Sequence, residues 1–263
     1  MNLNIVKFIR KLTRAAGSLL TILAVTVSVY PRNQSATNAS VISRARTTYY
    51  SLARKGFKGY TATIEPNWEV ILAQTATSES LKVFRAVRFS MVVDENGAVT
   101  VSHEVGANAP NAALVNRIRY DVQRLVTGFF NTWRTFVVSS PFPETEQQIK
   151  LENSRKQHRA SYTTQSGEVT ITMADDFLIK EWNFSGPTVK RTIKPQFQKT
   201  ADGLLLTDYK QLFEPVGNGI KTTLDFHIQY QDLNGMKVPQ KVRLSGMHGS
   251  EPVEAELTFI LKP

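Results

Sequence analysis

The chain of 263 residues contains no cysteine. That excludes disulfides, thiolate metal sites and a cysteine nucleophile, and it removes the lipid-bearing cysteine that a bacterial lipoprotein needs. A cysteine-free chain suits cytosol and periplasm alike. Histidine is scarce: His103, His158, His227 and His248 show no His-x-x-x-His or comparable ligand spacing. No Gly-x-Ser-x-Gly elbow, Ser-x-x-Lys set or phosphate-cradling glycine loop occurs. Asp175-Asp176 is an adjacent acid pair, but neighbours on a strand point to opposite faces, and a turn is the simpler reading. Ser245 to Ser250 reads as a turn between strands, and Glu251, Glu254 and Glu256 as turn and outward strand positions. These readings favour a non-enzymatic protein, with no cofactor and no metal expected.

Charge is abundant but misleading. The formal net charge is +10. Lys7, Arg10, Lys11, Arg14 and Arg32 lie in residues 1–39, which hold no acid. Residues 40–263 carry 27 basic against 22 acidic groups, a net of +5, so a nucleic-acid partner is not expected. The basic stretch Ser154-Arg155-Lys156-Gln157-His158-Arg159 lacks interleaved aromatics and reads as a solvated loop. The amino-terminal charges precede an uncharged run from Ala15 to Tyr30, then Pro31 and the small residues Ser35 to Ala39. That order is the one of a secretory signal. The apolar run is short against the roughly 20 residues of a membrane span. Residues 1–39 are therefore expected to be a signal peptide, cleaved near Ala36 or Ala39, or a retained anchor. Either places residues 40–263, read as one domain, in the periplasm or outside the cell.

Hydrophobic residues make up 41% of the chain, enough for a large core. From about Tyr162 to Leu261, strand-like segments follow one another. In Lys221 to Tyr230, Thr222, Leu224, Phe226, Ile228 and Tyr230 alternate with Thr223, Asp225, His227 and Gln229, a period of two. Turns are predicted at Ser166-Gly167, Ala174 to Asp176, Ser185 to Pro187, Asp202-Gly203, Gly217 to Gly219, Asn234-Gly235 and Gly249-Ser250. Before them, the spacing predicts a helix over Ser40–Lys55 capped by Ser40, a strand over Phe57–Glu65 and a short helix over Asn67–Thr75. A hairpin of Leu81–Val93 and Ala98–Val105 follows, turning at Asp94 to Gly97. Pro110 opens a long helix whose stripe is Leu114, Ile118, Val122, Leu125, Phe129, Trp133 and Phe136, about 37 Å in length. Arg117, Asp121 and Arg124 lie off that stripe and can pair across a turn. Ser139–Arg159 is polar and broken by Pro141 and Pro143; an exposed second helix or a mobile lid is expected there.

The fold class expected is α+β: a large curved antiparallel sheet forming an incomplete β-barrel, covered by the long helix and short helices. Many long half-apolar strands share few covering helices, so a cavity for greasy cargo is expected between the layers. Its candidate lining is Trp68, Phe89, Met91, Trp182, Phe184 and Phe226, with Trp133 on the covering helix.

With that order of elements, the chain resembles the LolA-like group, the periplasmic carriers that sort lipoproteins to the outer membrane, with the LolB and RseB folds as relatives. The resemblance rests on the leader, on Ala45-Arg46-Thr47-Thr48-Tyr49-Tyr50 followed by Gly56-Phe57-Lys58-Gly59-Tyr60, and on Tyr230 to Pro239 with its Gly-x-x-x-Pro element. It implies a half-barrel with a helical lid, no enzymatic activity, lipid or lipoprotein acyl chains as partners, and a monomer. The alternative is an envelope sensing or interaction module of the same fold that engages a membrane protein partner.

Overall fold

The computed structural model describes residues 36–72, 77–106, 112–143, 149–154 and 156–262. The leader readings before Ala36, the role of Pro110 and any structure over 144–148 lie outside the described residues.

Twelve strands form one open antiparallel sheet. They are β1 (Tyr60–Pro66), β2 (Val87–Val93), β3 (Val99–Val105), β4 (Lys150–Ser154), β5 (Gln157–Thr164), β6 (Gly167–Ala174), β7 (Ile179–Ser185), β8 (Val189–Thr200), β9 (Gly203–Pro215), β10 (Thr222–Leu233), β11 (Met236–His248) and β12 (Glu251–Leu261). Their spatial order is β3-β2-β1-β12-β11-β10-β9-β8-β7-β6-β5-β4. Strands β4 to β12 thus form a meander, and β1 closes the chain onto its end by pairing Ala62 with Leu261 and Pro66 with Leu257. The turns fall where the sequence puts them. Between β10 and β11, Asn234 and Gly235 both take positive φ, 52° and 78°, as a two-residue hairpin turn of matching twist demands.

Strand alternation separates a covered face from an open one. On β10, Thr222, Leu224, Phe226 and Ile228 are buried, whereas Asp225, His227 and Gln229 are exposed. Among the described residues, four helices cover the apolar face: α1 (Ala36–Thr48), α2 (Trp68–Leu72), α3 (Ser78–Arg85) and α4 (Ala112–Trp133). Helix α4 is 22 residues long, about 33 Å, and runs on into a π turn over Arg134–Val138. Its buried stripe, including Ile118, Val122, Val126, Phe129, Phe130 and Trp133, is wider than the single row expected. The predicted Arg117–Asp121 pair forms at 3.8 Å, while Arg124 turns to Tyr120 instead.

Three expectations are corrected. The first helix spans Ala36–Thr48, so Ser40 lies inside it, and it stops before Tyr49 because Tyr49 and Tyr50 are claimed by β9: Tyr50 N–H donates to Leu204 O at 3.0 Å. A short 3-10 turn, Ala53–Lys55, follows and ends at Gly56. Second, Leu81–Val93 is not one strand. Residues to Arg85 form α3, whose Phe84 packs on Trp68 at 5.0 Å; Arg85, the one polar residue in the predicted apolar row, marks where the period changes. Third, Ser139–Arg159 holds neither an exposed helix nor a free lid among the described residues. Its later part is the β4–β5 hairpin, and Tyr162 of β5 donates to Pro141 O at 3.1 Å.

Candidate functional site

The seam between α4 and the sheet is built of aromatic rings because both surfaces present them at their own periods. Phe129 faces Phe226 of β10 at 6.4 Å and Phe259 of β12 at 6.3 Å. Phe226 in turn stacks on Tyr209 of β9 at 4.4 Å. Trp133 meets Phe130 at 5.3 Å and Phe57 at 6.4 Å. All seven predicted lining residues are buried, but they fall into separate groups. Trp68, on α2, meets Phe84 of α3 and Phe89 of β2, and Met91 shares the buried row of β2 with Phe89; Phe226 and Trp133 belong to the seam; Trp182 and Phe184 lie on β7, beyond β9. Trp68 also borders an apolar gap of about 30 Å³, shared with Ile71, Phe84 and the α4 residues Ile118, Val122 and Leu125. That gap is water-sized, far below the roughly 300–1,000 Å³ of a small-molecule pocket.

Beside the seam lies a group the sequence reading missed. Arg191 of β8 shares the covered row with Ile193 and Pro195, so alternation turns a guanidinium toward the interior. Its Nη2 donates to the Thr132 hydroxyl of α4 and to Gln211 Oε1 of β9, the latter at 2.8 Å. The guanidinium lies over the rings of Trp182 and Phe213, 5.7 and 5.6 Å from their centres. No carboxylate pairs with it among the described residues. The acids on neighbouring strands are engaged elsewhere: Glu181 with Lys194 at 3.7 Å, and Glu214 with Lys221 at 2.8 Å. Burial lowers the Arg191 pKa to about 10, so the side chain stays charged at neutral pH. Two buried donors there are also unmatched, Arg191 Nε and Gln211 Nε2, whereas the Trp182 indole faces the Tyr162 hydroxyl and the Tyr209 hydroxyl faces Thr132. An unmatched buried donor costs about 1–3 kcal/mol, and a buried charge more. Stacking on two rings and two hydrogen bonds offset part of that. Burial also pushes the Tyr209 hydroxyl well above its usual range and Tyr162 to about 12, so neither serves as an acid or base near neutrality.

The open face carries a different arrangement. A groove of about 720 Å³ is lined by charged side chains of β8 to β12, among them Lys194, Asp208, His227, Arg243 and Glu254. His227 and Asp208 meet at 2.6 Å. Glu256, expected to point outward into solvent, is on this face but is 5% exposed. Asn67 Nδ2 donates to its Oε1 at 3.0 Å, Lys241 Nζ lies at 2.9 Å, and Arg243 bonds its Oε2. Burial alone raises its pKa, but the hydrogen bonds from Asn67, Arg243 and Lys241 outweigh it and hold the carboxyl at about 2. His248, expected in a turn, ends β11 instead and is buried against the Thr222 hydroxyl at 2.8 Å. Among the described residues, no group of three or more His, Asp or Glu side chains is arranged to hold a metal ion, and no helix is long and apolar enough to cross a membrane. Compared with known protein families, curated proteins and solved structures, the chain gives no match.

Proposed function

We propose that this chain is an exported, non-enzymatic carrier that binds lipid or the acyl chains of lipoproteins between α4 and a sheet curved into a half-barrel. The observation that carries the reading is the aromatic seam itself: one long amphipathic helix laid on an open sheet, contacting it through rings, with a gap at Trp68 and Val122. Register irregularities at Gln229/Tyr230, Thr172/Met173 and Gln196/Phe197 are the kind of bulge that bends strands, which favours curvature. At about 30 Å³ the gap is too small for a tail, so uptake requires part of α4 to lift.

Magnitudes limit how much lifts. Each buried methylene contributes roughly 0.8 kcal/mol, so a twelve-methylene chain offers on the order of 10 kcal/mol. Exposing a large apolar side chain costs roughly 1.5–3 kcal/mol. Baring the whole α4 stripe exceeds the gain, whereas freeing only the end near Val115, Ile118 and Val122 does not. The moving part is therefore the amino-terminal half of α4, next to the gap, and the Phe129–Trp133 end stays seated.

The test is lipid extraction from the full chain exported and purified from bacteria, followed by titration with a fluorescent fatty acid. Co-purified lipid and saturable binding support the carrier; neither appearing removes it. A second reading, an envelope interaction module, is favoured by the groove on the open face, whose alternating charges suit a protein partner. Mass analysis of the exported protein separates the two: loss of the leader fits a free carrier, retention an anchored module. Cleavage at Ala39 would trim the first turn of α1.

A further inference from the structure

We infer that Arg191, with Thr132, Gln211, Tyr209 and Trp182, forms a binding site for an oxyanion, a carboxylate or a phosphate monoester. Three observations meet there. A guanidinium on the covered face has no carboxylate partner among the described residues. Its Nε, sealed from solvent, has no acceptor. Gln211, 0% exposed, holds a further unmatched donor, Nε2, beside the same guanidinium. A group of donors without acceptors, carrying net positive charge, is complementary to an anion with several lone pairs.

The residues divide the work. Arg191 supplies the charge and a planar donor edge. Trp182 and Phe213 hold that plane by their ring faces, so the fork is set before a ligand arrives. Thr132 and Gln211 accept from Nη2 and thereby fix the rotation of the guanidinium, leaving its Nε edge for the anion. Tyr209 has its hydroxyl beside Thr132 and its ring on Phe226, so the nest adjoins the aromatic seam. An ordered water can satisfy some of these donors, but it leaves the charge uncompensated.

This site stands whether or not the seam takes an acyl chain. The anion has two sources: the head of an amphiphile whose tail enters the seam, or a free anion. Thermal denaturation of the full chain with inorganic phosphate and with acetate tests the free anion. Titration with cis-parinaric acid and with its methyl ester tests the head group, since the two share one hydrocarbon. A rise in melting temperature with phosphate or acetate that Arg191→Met abolishes supports the site with a free anion. Tighter binding of the acid than the ester, by about tenfold or more, lost in Arg191→Met, supports it with an amphiphile head. Without ligand, Arg191→Met is expected to melt at or above wild type, because it removes an unmatched charge. Should that variant fail to fold, Arg191→Lys keeps the charge but loses the fork, and the same responses are expected to weaken. No response to either anion, together with equal binding of acid and ester, means that water alone fills the nest and overturns the site. Equal binding of acid and ester leaves the carrier reading intact; an Arg191-dependent anion response without parinarate binding does the reverse.

Discussion

Replacing Glu256 by Gln tests how the covering layer is fastened to the sheet. Glu256 joins the segment after β1 to β11 and β12, across 189 residues of sequence to Asn67. Asn67 in turn accepts from Val70 N–H at 3.3 Å at the start of α2, and its own N–H donates to Glu256 O at 2.9 Å. The carboxyl pKa is held at about 2 against an ordinary 4.5. Every tenfold change in proton affinity between the folded and unfolded chain is worth about 1.4 kcal/mol, so the ceiling is about 3 kcal/mol. Arg243 is largely exposed and Lys241 partly so, and solvent screens both, which leaves roughly 1–2 kcal/mol. The sign follows from the direction in which the pKa moves. A depressed carboxylate stabilises the fold above its unfolded pKa, and that contribution is lost as pH falls from about 4.5 toward 2. Urea denaturation of wild type and Glu256→Gln from pH 7 to pH 2 reads it. The stability gap is expected to be constant above pH 5 and to close below pH 4.5. A gap that is absent at pH 7, or unchanged down to pH 2, refutes the reasoning.

Other consequences are equally direct. The Tyr49 hydroxyl donates to Phe177 O at 2.5 Å and accepts from Ile179 N–H at 2.7 Å, so Tyr49→Phe should cost about 1–3 kcal/mol by chemical denaturation. Gly203 has φ 118°, and a Cβ there would meet the Tyr49 and Tyr50 backbone at 2.8 Å; Gly203→Ala should lower the melting temperature and release the end of α1. Phe84→Ala should destabilise by about 3–5 kcal/mol and enlarge the gap at Trp68, and by the carrier reading it should raise affinity for short fatty acids in a fluorescence titration.

Much of the sheet was legible because strand burial writes a period of two into the sequence, as in Leu224 to Ile228. The turn glycines then delimit each strand. The α3 helix was not legible as such: Val83 and Val87 satisfy a strand pattern as well as a helical one, and only Phe84 meeting Trp68 decides between them. Strand β4 was hidden by its composition, since Lys150 to Ser154 is an edge strand with little burial. The pairing of β1 with β12 is a contact between chain ends, and no local signal carries it. Among site residues, Arg191 had a signal that went unread: it keeps phase with Ile193 and Pro195. Glu256 had none, because its burial comes from Asn67, far away in sequence.

The central claim is that hydrocarbon enters between α4 and the sheet. Trp68 is 5% exposed and borders the gap, and Trp133 and Trp182 are the other two tryptophans. In the Trp133→Phe, Trp182→Phe protein, Trp68 fluorescence should be quenched saturably by a brominated fatty acid and be little affected by aqueous iodide. Full Trp68 emission at saturating brominated fatty acid would contradict the account.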